Sequence, residues 1–303
     1  MRARRPLLAG LLTLGLAAAG LVGAATPASA AETYPRPSSG SWEVEGRGWG
    51  HGHGMSQWGA QGAAQQGRSY RQILDFYYPG TTVGTVANNH ITVRLMAHQD
   101  TRSVTLWAPG DTTTLTVAGS GNTTRSYRGG SITVDRAERN RFWVRHTTAS
   151  GAKGAEHAFT ATELTVDSGG SSGVVVGSSS SRGTWYRGTV QLVRENNTLF
   201  DVRNRVRLED YLRGVVPREV PASWHTQALR AQTVAARSYV LAEIAGNSAG
   251  LTCDTTSCQV YGGRAVVDRS GSVVSTVEHS RTNEAIQATG GEVRMYGGAP
   301  AFT

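Results

Sequence analysis

Between His90 and Val166, apolar and polar residues alternate in short runs, and no other feature of this 303-residue chain limits its folding as strongly. The runs include Ile91-Thr-Val-Arg-Leu95, Ser103-Val-Thr-Leu-Trp107, Thr114-Leu-Thr-Val117, Ser131-Ile-Thr-Val134 and Arg141-Phe-Trp-Val-Arg145. A period of two places alternate side chains on one face, which is the signature of a half-buried strand. Gly, Asn and Asp separate the runs at short intervals, so the stretch is expected to form an antiparallel, β-rich region. Strand patterns resume at Thr184–Val193 and Leu199–Leu208. The Ser/Gly-rich stretch Gly169–Ser181 reads either as a tether between domains or as a hairpin inside one continuous fold. The apolar insert Val174-Val-Val176 favours the hairpin.

Helical patterns flank this region. Met55–Gln66 reads as a short helix opened by Ser56, after the glycine-dense loop Gly46-Arg-Gly-Trp-Gly-His-Gly-His-Gly54. Ser69 opens a second helix carrying Tyr70, Ile73, Leu74, Tyr77 and Tyr78, ended by Pro79-Gly80. Glu209–Val215 predicts a further short helix, broken by Val216-Pro-Arg-Glu-Val-Pro221. Ala222–Ala245 then carries the longest helical pattern, with Pro221 suited to its first turn. After Gly250 come a cysteine loop, a polar stretch and a final β-like run, Glu284–Tyr296. The expected class is α+β: antiparallel strands, one short and one long helix forming the candidate active segment, and an N-terminal Gly-rich loop with helices.

Residues 1–30 read as an address. Arg2, Arg4 and Arg5 precede an apolar run, Leu7–Ala25, and Ala28-Ser29-Ala30 is a small-x-small cleavage site, so a secretory signal peptide is expected. No later run approaches the roughly 20 apolar residues that span a bilayer. The chain is therefore expected to be secreted, extracellular or wall-associated, with no transmembrane anchor. Its expected parts are the signal peptide, a lead-in at 31–41, an N-terminal motif with helices at 42–89, and a main domain at 90–303. The main domain divides into β-rich 90–208, helical 209–245, and a cysteine loop with strands at 250–303. Of the formal charge of +8, three arginines belong to the leader, and Lys153 is the only lysine. No basic cluster or recognition motif is present, which argues against nucleic acid. An anionic envelope surface and simple solubility both account for the modest arginine excess. Cys253 and Cys258 have four residues between them, and in an exported chain a local disulfide is the default.

A few residues suggest chemistry. Glu219 lies between Pro217 and Pro221, which restrict the backbone and are expected to hold its carboxyl at the entrance of the long helix. A helix N-terminus by itself favours the ionised form, and a plain capping role is the structural alternative. His51 and His53 have the spacing of a metal pair, but no third ligand follows in a recognised pattern. Trp49, His51, Gln57 and Trp58 suit sugar binding better, since aromatic faces stack on sugar rings and amides bond hydroxyls. A glycine loop that packs a helix onto the sheet is the alternative there.

Three stretches carry a family resemblance. The first is Leu208-Glu-Asp-Tyr-Leu-Arg-Gly-Val-Val-Pro-Arg-Glu-Val-Pro-Ala-Ser-Trp224 with Ala228-Leu-Arg-Ala-Gln-Thr-Val-Ala-Ala-Arg-Ser-Tyr-Val240; the others are Cys253-Asp-Thr-Thr-Ser-Cys-Gln-Val-Tyr-Gly262 and Gly50-His-Gly-His-Gly-Met-Ser-Gln-Trp-Gly-Ala60. Together they resemble the SpoIID/LytB family of sporulation and amidase-enhancer proteins. The resemblance implies action on peptidoglycan glycan strands. In the sporulation branch it implies a lytic transglycosylase with Glu219 as acid/base; in the LytB branch, a non-catalytic enhancer of a separate amidase or other wall hydrolase. Arg237 matches the family's arginine, which implies either a substrate acetyl or carboxylate contact or a structural ion pair. Tyr239 is expected to pack against the sheet. Some members bind zinc near the cysteine loop, so zinc at Cys253 and Cys258 is the alternative to a disulfide without cofactor. The family usually places the GHGxGMSQxGA motif after the catalytic segment and continues beyond the point reached here at Thr303. Two expectations follow: a transposed motif completing the same cleft, or a missing final section.

Overall fold

The computed structural model describes residues 54–303, apart from 111, 122, 138–139, 170–172 and 178–180, together with 38, 40 and 41. The expected signal peptide, most of the lead-in, and Trp49, His51 and His53 lie outside the described residues. The chain divides into 1–49 and 50–303, and every described helix and strand belongs to the second unit. Among the described residues, no helix is long and apolar enough to cross a membrane.

The fold is α+β and rich in antiparallel strands. One sheet has eight strands, in the order Val273–Thr276, Ala265–Asp268, Arg182–Tyr186, Val174–Gly177, Ser103–Trp107, Ser131–Ala137, Arg141–Thr147 and Lys153–Thr160. The other large sheet has seven: Thr252–Cys253, His90–Arg94, Phe200–Arg207, Thr189–Arg194, Glu163–Asp167, Thr114–Gly119 and Thr124–Arg128. Alternate residues from both, such as Val104, Ile132, Phe142 and Val176 from the first and Val93, Val117, Leu192 and Val202 from the second, join one core. That shared core is why the sequence alternates. The insert Val174–Gly177 is a buried strand paired with both Arg182–Tyr186 and Ser103–Trp107, so Gly169–Ser181 lies inside one fold. The run Thr184–Val193 is two strands and not one. Gly188 turns the chain between them at φ +72°, where a side chain would meet the Arg205 carbonyl.

The helices are α1 (Gln57–Gln65), α2 (Tyr70–Tyr77), α3 (Leu208–Glu219), α4 (Thr226–Gly246) and α5 (Ser280–Ala288). Ser56 caps α1 by accepting from the Gly59 N–H, and Ser69 caps α2 in a reciprocal box with Gln72. Three boundaries differ from expectation. First, α3 continues through Pro217 to Glu219, because a proline in the last turn removes one backbone bond, to the Arg213 carbonyl, and leaves the turns before it intact. Pro221 ends the helix by holding Val220 extended, at φ −136° and ψ 145°. Second, α4 starts at Thr226 with His225 as its cap, so Pro221 lies outside it. Third, the expected β-like run from Glu284 begins as α5, whose buried Thr282, Ala285 and Ile286 follow helical spacing; the strand itself is Glu292–Tyr296.

The N-terminal helices are fastened to this core. Arg294, fully buried on strand Glu292–Tyr296, bonds Asp75 at 2.9 Å and both the hydroxyl and carbonyl of Thr81. Gln227 of α4 accepts from the Tyr70 N–H at 2.8 Å, and Gln61 of α1 accepts from the His225 N–H at 2.9 Å. Gly59 lets α1 lie directly against the Tyr77 hydroxyl, where a Cβ would collide.

Candidate functional site

Glu219 is the last residue of α3, and this corrects the expected position at a helix entrance. Its carboxyl faces a cleft of about 690 Å³ lined by residues far apart in the chain. Gly54, Met55 and Gln57 come from the N-terminal motif; Gln232, Ala235, Ala236 and Tyr239 from α4; Thr256, Cys258 and Gln259 from the cysteine loop; and Tyr78, Phe302 and Thr303 complete the lining. The segment that precedes the sheets in sequence thus shares a cleft with Glu219.

Two of these elements reach the carboxyl itself. The Gln57 amide donates to Oε2 at 3.5 Å, the long end of the hydrogen-bonding range, and the Val260 N–H donates from the cysteine loop. Both bonds favour the carboxylate. Burial disfavours it more and holds the Glu219 carboxyl above its ordinary range. The C-terminal end of α3 acts in the same direction as burial, opposite to the helix entrance expected from the sequence. Among the described residues lining the cleft, Glu219 has the only carboxyl side chain. The site therefore offers one proton donor with a raised affinity for its proton.

The cysteine loop is anchored from beneath. Tyr261 is buried, packs on Tyr211 with ring centroids 4.9 Å apart, and donates to Asn204 at 2.9 Å. Gly214 of α3 lies so close that a Cβ there would be 2.6 Å from the Tyr261 ring and 2.7 Å from the Gly263 carbonyl. Asp254 accepts from the Met96 N–H at 2.9 Å, and Cys253 pairs in register with Arg94. Cys253 and Cys258 are joined in a disulfide with Cα atoms 5.5 Å apart, which places Cys258 and Gln259 on the cleft wall.

Other expected site residues lie elsewhere. Arg237 is fully buried, forks onto Glu209 at 2.9 and 2.8 Å, and donates to the Glu292 carbonyl at 2.8 Å. It joins α4 to α3 and to the strand Glu292–Tyr296, and the substrate contact is corrected to the structural ion pair. Trp58 is outside the cleft lining. It is 75% exposed, with its ring 4.9 Å from that of Trp224. Tyr239, expected against the sheet, instead lines the cleft, with its ring 4.8 Å from Phe302. Gln232, Gln259 and Tyr239 are the cleft residues that sequence reasoning missed. The available signal was the spacing Gln232, Ala235, Ala236, Tyr239, which is one face of a helix.

Comparison with known proteins bears on the same segment. A family model described as Stage II sporulation protein, SpoIID, matches residues 196–296. Those residues include α3, Glu219, α4 and the cysteine loop. Residues 196–296 are thus similar to the SpoIID family. The segment is 43% identical over 89 residues to the Amidase enhancer of Bacillus subtilis, covering 29% of this chain and 10% of that protein. It is 31% identical over 99 residues to Stage II sporulation protein D of the same organism, covering 31% and 29%. An uncharacterized protein of Brachyspira hyodysenteriae is 36% identical over 107 residues, covering 34% and 28%. The chain thus spans less than a third of the length of each of these relatives. No solved structure matches it at a significant level.

Proposed function

We propose that the chain is an exported cell-wall protein whose cleft binds peptidoglycan glycan strands, and that Glu219 cuts them as the single acid/base of a lytic transglycosylase. The observation that carries this reading is one half-buried carboxyl, its proton affinity raised by burial, the only acidic side chain of the described cleft lining. Hydrolysis of a glycosidic bond ordinarily uses two carboxyl groups, one as acid and one as base or nucleophile. Transglycosylation needs one. Protonated Glu219 gives its proton to the glycosidic oxygen as the bond from that oxygen to the anomeric carbon breaks. The sugar's own 6-hydroxyl oxygen then bonds to the anomeric carbon, closing an anhydro ring, and its proton returns to the Glu219 carboxylate. No water enters the balance.

Gln57 and the Val260 N–H both favour the charged form of the carboxyl, and the disulfide-closed loop places Gln259 on the wall of the same cleft. A second reading, in which the cleft holds glycan and stimulates a separate wall amidase without cutting, draws its support from the likeness to the Amidase enhancer. Purified protein incubated with glycan strands stripped of stem peptides separates the two. Mass spectrometry should find anhydro-muramyl ends; tight binding with no such ends would leave only the enhancer.

A further inference from the structure

Four arginines gather on the face of the seven-stranded sheet opposite the shared core, and none of them is part of the cleft lining. Strand Phe200–Arg207 alternates: Val202, Asn204 and Val206 are buried, while Arg203, Arg205 and Arg207 take the other face, with Arg205 and Arg207 exposed. The neighbouring strand His90–Arg94 brings the fourth. Arg94 stands across from Arg203, Thr92 from Arg205 and His90 from Arg207, and residues paired in register share a face. Like charges directly opposite weaken a strand pair, so Arg94 and Arg203 are kept there at a cost. Few acids answer this charge. Asp201 lies 3.7 Å from Arg203, and Glu243 of α4 feels the charge of Arg94 but is bonded by the Thr252 hydroxyl at 2.6 Å. Arg207 donates to the Asn88 carbonyl, and among the described residues Arg205 has no ion pair. Glu209 and Asp210, next in sequence, are engaged by Arg237 and by Arg187 and Arg213. On the other side, the uncharged Thr189 and Gln191 stand across from Arg205 and Arg203 and separate them from the strand Glu163–Asp167. His90 reports the resulting field: burial, and then the charges of Arg205 and Arg207, hold its imidazole below the ordinary range.

The layout of the charges indicates what kind of ligand. Alternate residues of a strand are about 6.7 Å apart, so Arg203, Arg205 and Arg207 stand in a regular file. Guanidinium groups fork onto the paired oxygens of a phosphate. Beside the file lie Thr92, Thr189 and Gln191, two hydroxyls and an amide. A lipid surface would need apolar side chains to enter the acyl layer, and these positions supply none. A linear polymer with a phosphate in each backbone repeat lays its charges along the file and its hydroxyls beside it. We propose that this arginine face binds a phosphodiester-linked polymer of the cell wall and holds the protein there independently of the cleft. The proposal rests on the exported, wall-acting reading above and goes beyond it to a second binding surface. Cys253 pairs in register with Arg94, and its disulfide partner Cys258 lines the cleft, so the face begins one strand from the cysteine loop.

The test measures binding of the full chain to purified cell walls that carry phosphodiester polymers, to the same walls stripped of them by hydrofluoric acid, and to vesicles of phosphatidylglycerol. The wild type should bind intact walls roughly 10-fold more tightly than stripped walls, and the difference should fade as salt is raised. Arg205→Gln with Arg207→Gln should remove most of that difference and leave binding to stripped walls unchanged. Arg125→Gln with Arg128→Gln takes the same charge from the strand at the far edge of the sheet, and should keep the difference. If the variant at 205 and 207 does not fold, Arg205→Glu at its exposed position gives the same comparison. Equal binding to intact and stripped walls, an undiminished difference in the folded variants, an equal loss in the pair at 125 and 128, or tighter binding to the vesicles than to intact walls would overturn the proposal. Retention on stripped walls would in each case leave the glycan reading in place. Binding to intact walls alone would support the arginine face and count against the glycan reading, and binding to neither wall preparation would overturn both.

Discussion

At the scale of single residues, the two most informative positions are Glu219 and Arg237, and their environments predict opposite behaviour. The Glu219 carboxyl binds its proton more tightly in the folded chain than the ordinary value of 4.5 implies. Ionising it therefore costs folding stability. The cost is absent below the ordinary value, grows as pH rises towards the raised folded value, and is complete above it. Glu219→Gln removes it, so the melting temperature of the variant should gain on the wild type as pH rises from about 4 to neutral. A difference independent of pH would contradict the buried environment. Activity should fall on the alkaline side as the same carboxyl ionises, since the first step needs its proton. Arg237 is a structural counterpart. Arg237→Met leaves Glu209, only 17% exposed, without its partner, and should cost about 3–5 kcal/mol in denaturant unfolding. Adding Glu209→Gln should recover part of that loss, because the stranded charge is then removed. A near-neutral Arg237→Met would show that the pair does not join the two helices.

At the scale of elements, the site depends on α3 and the cysteine loop keeping close contact. Gly214→Ala inserts a methyl group against the Tyr261 ring and the Gly263 carbonyl, and should destabilise the fold by about 1–3 kcal/mol while loosening the loop that bears Val260 and Gln259. Proteolysis within 254–259 should then become faster; unchanged cleavage and stability would show that the loop is held some other way. Opening the disulfide by Cys253→Ser with Cys258→Ser should cost only about 2 kcal/mol, the closed loop being short, with the larger effect on the cleft wall. Elements with local signals were legible from sequence. Ser56, and Ser69 with Gln72, mark the starts of α1 and α2 because capping involves neighbours only, and the alternating strands read correctly because both sheets bury one face. Elements decided by one residue or by tertiary packing were not. The Gly188 turn is hidden inside a continuous β pattern, α5 buries too thin a stripe to stand out from a strand, and Pro217 resembles a breaker although it occupies a last turn. The site was legible to the same degree. Glu219 and Gln57 come together, but α4 is buried around most of its circumference, so periodicity alone did not show that Gln232 and Tyr239 face the cleft and Arg237 does not.

At the scale of the whole molecule, the fold brings three segments distant in sequence onto one carboxyl group: the N-terminal motif through Gln57, the end of α3 that bears Glu219, and the cysteine loop through Val260. The two sheets supply the fixed base, with Tyr261 and Asn204 tying the loop to the seven-stranded sheet and Arg294 tying the N-terminal helices to α4's neighbouring strand. The central claim is that Glu219 moves a proton and does not merely hold substrate. Its most direct test is Glu219→Gln assayed in parallel for anhydro-muramyl ends released from denuded strands and for retention on purified cell wall. The account predicts that the ends fall by roughly 100- to 10,000-fold while retention stays near wild type. A variant that still releases the ends at the wild-type rate would contradict it.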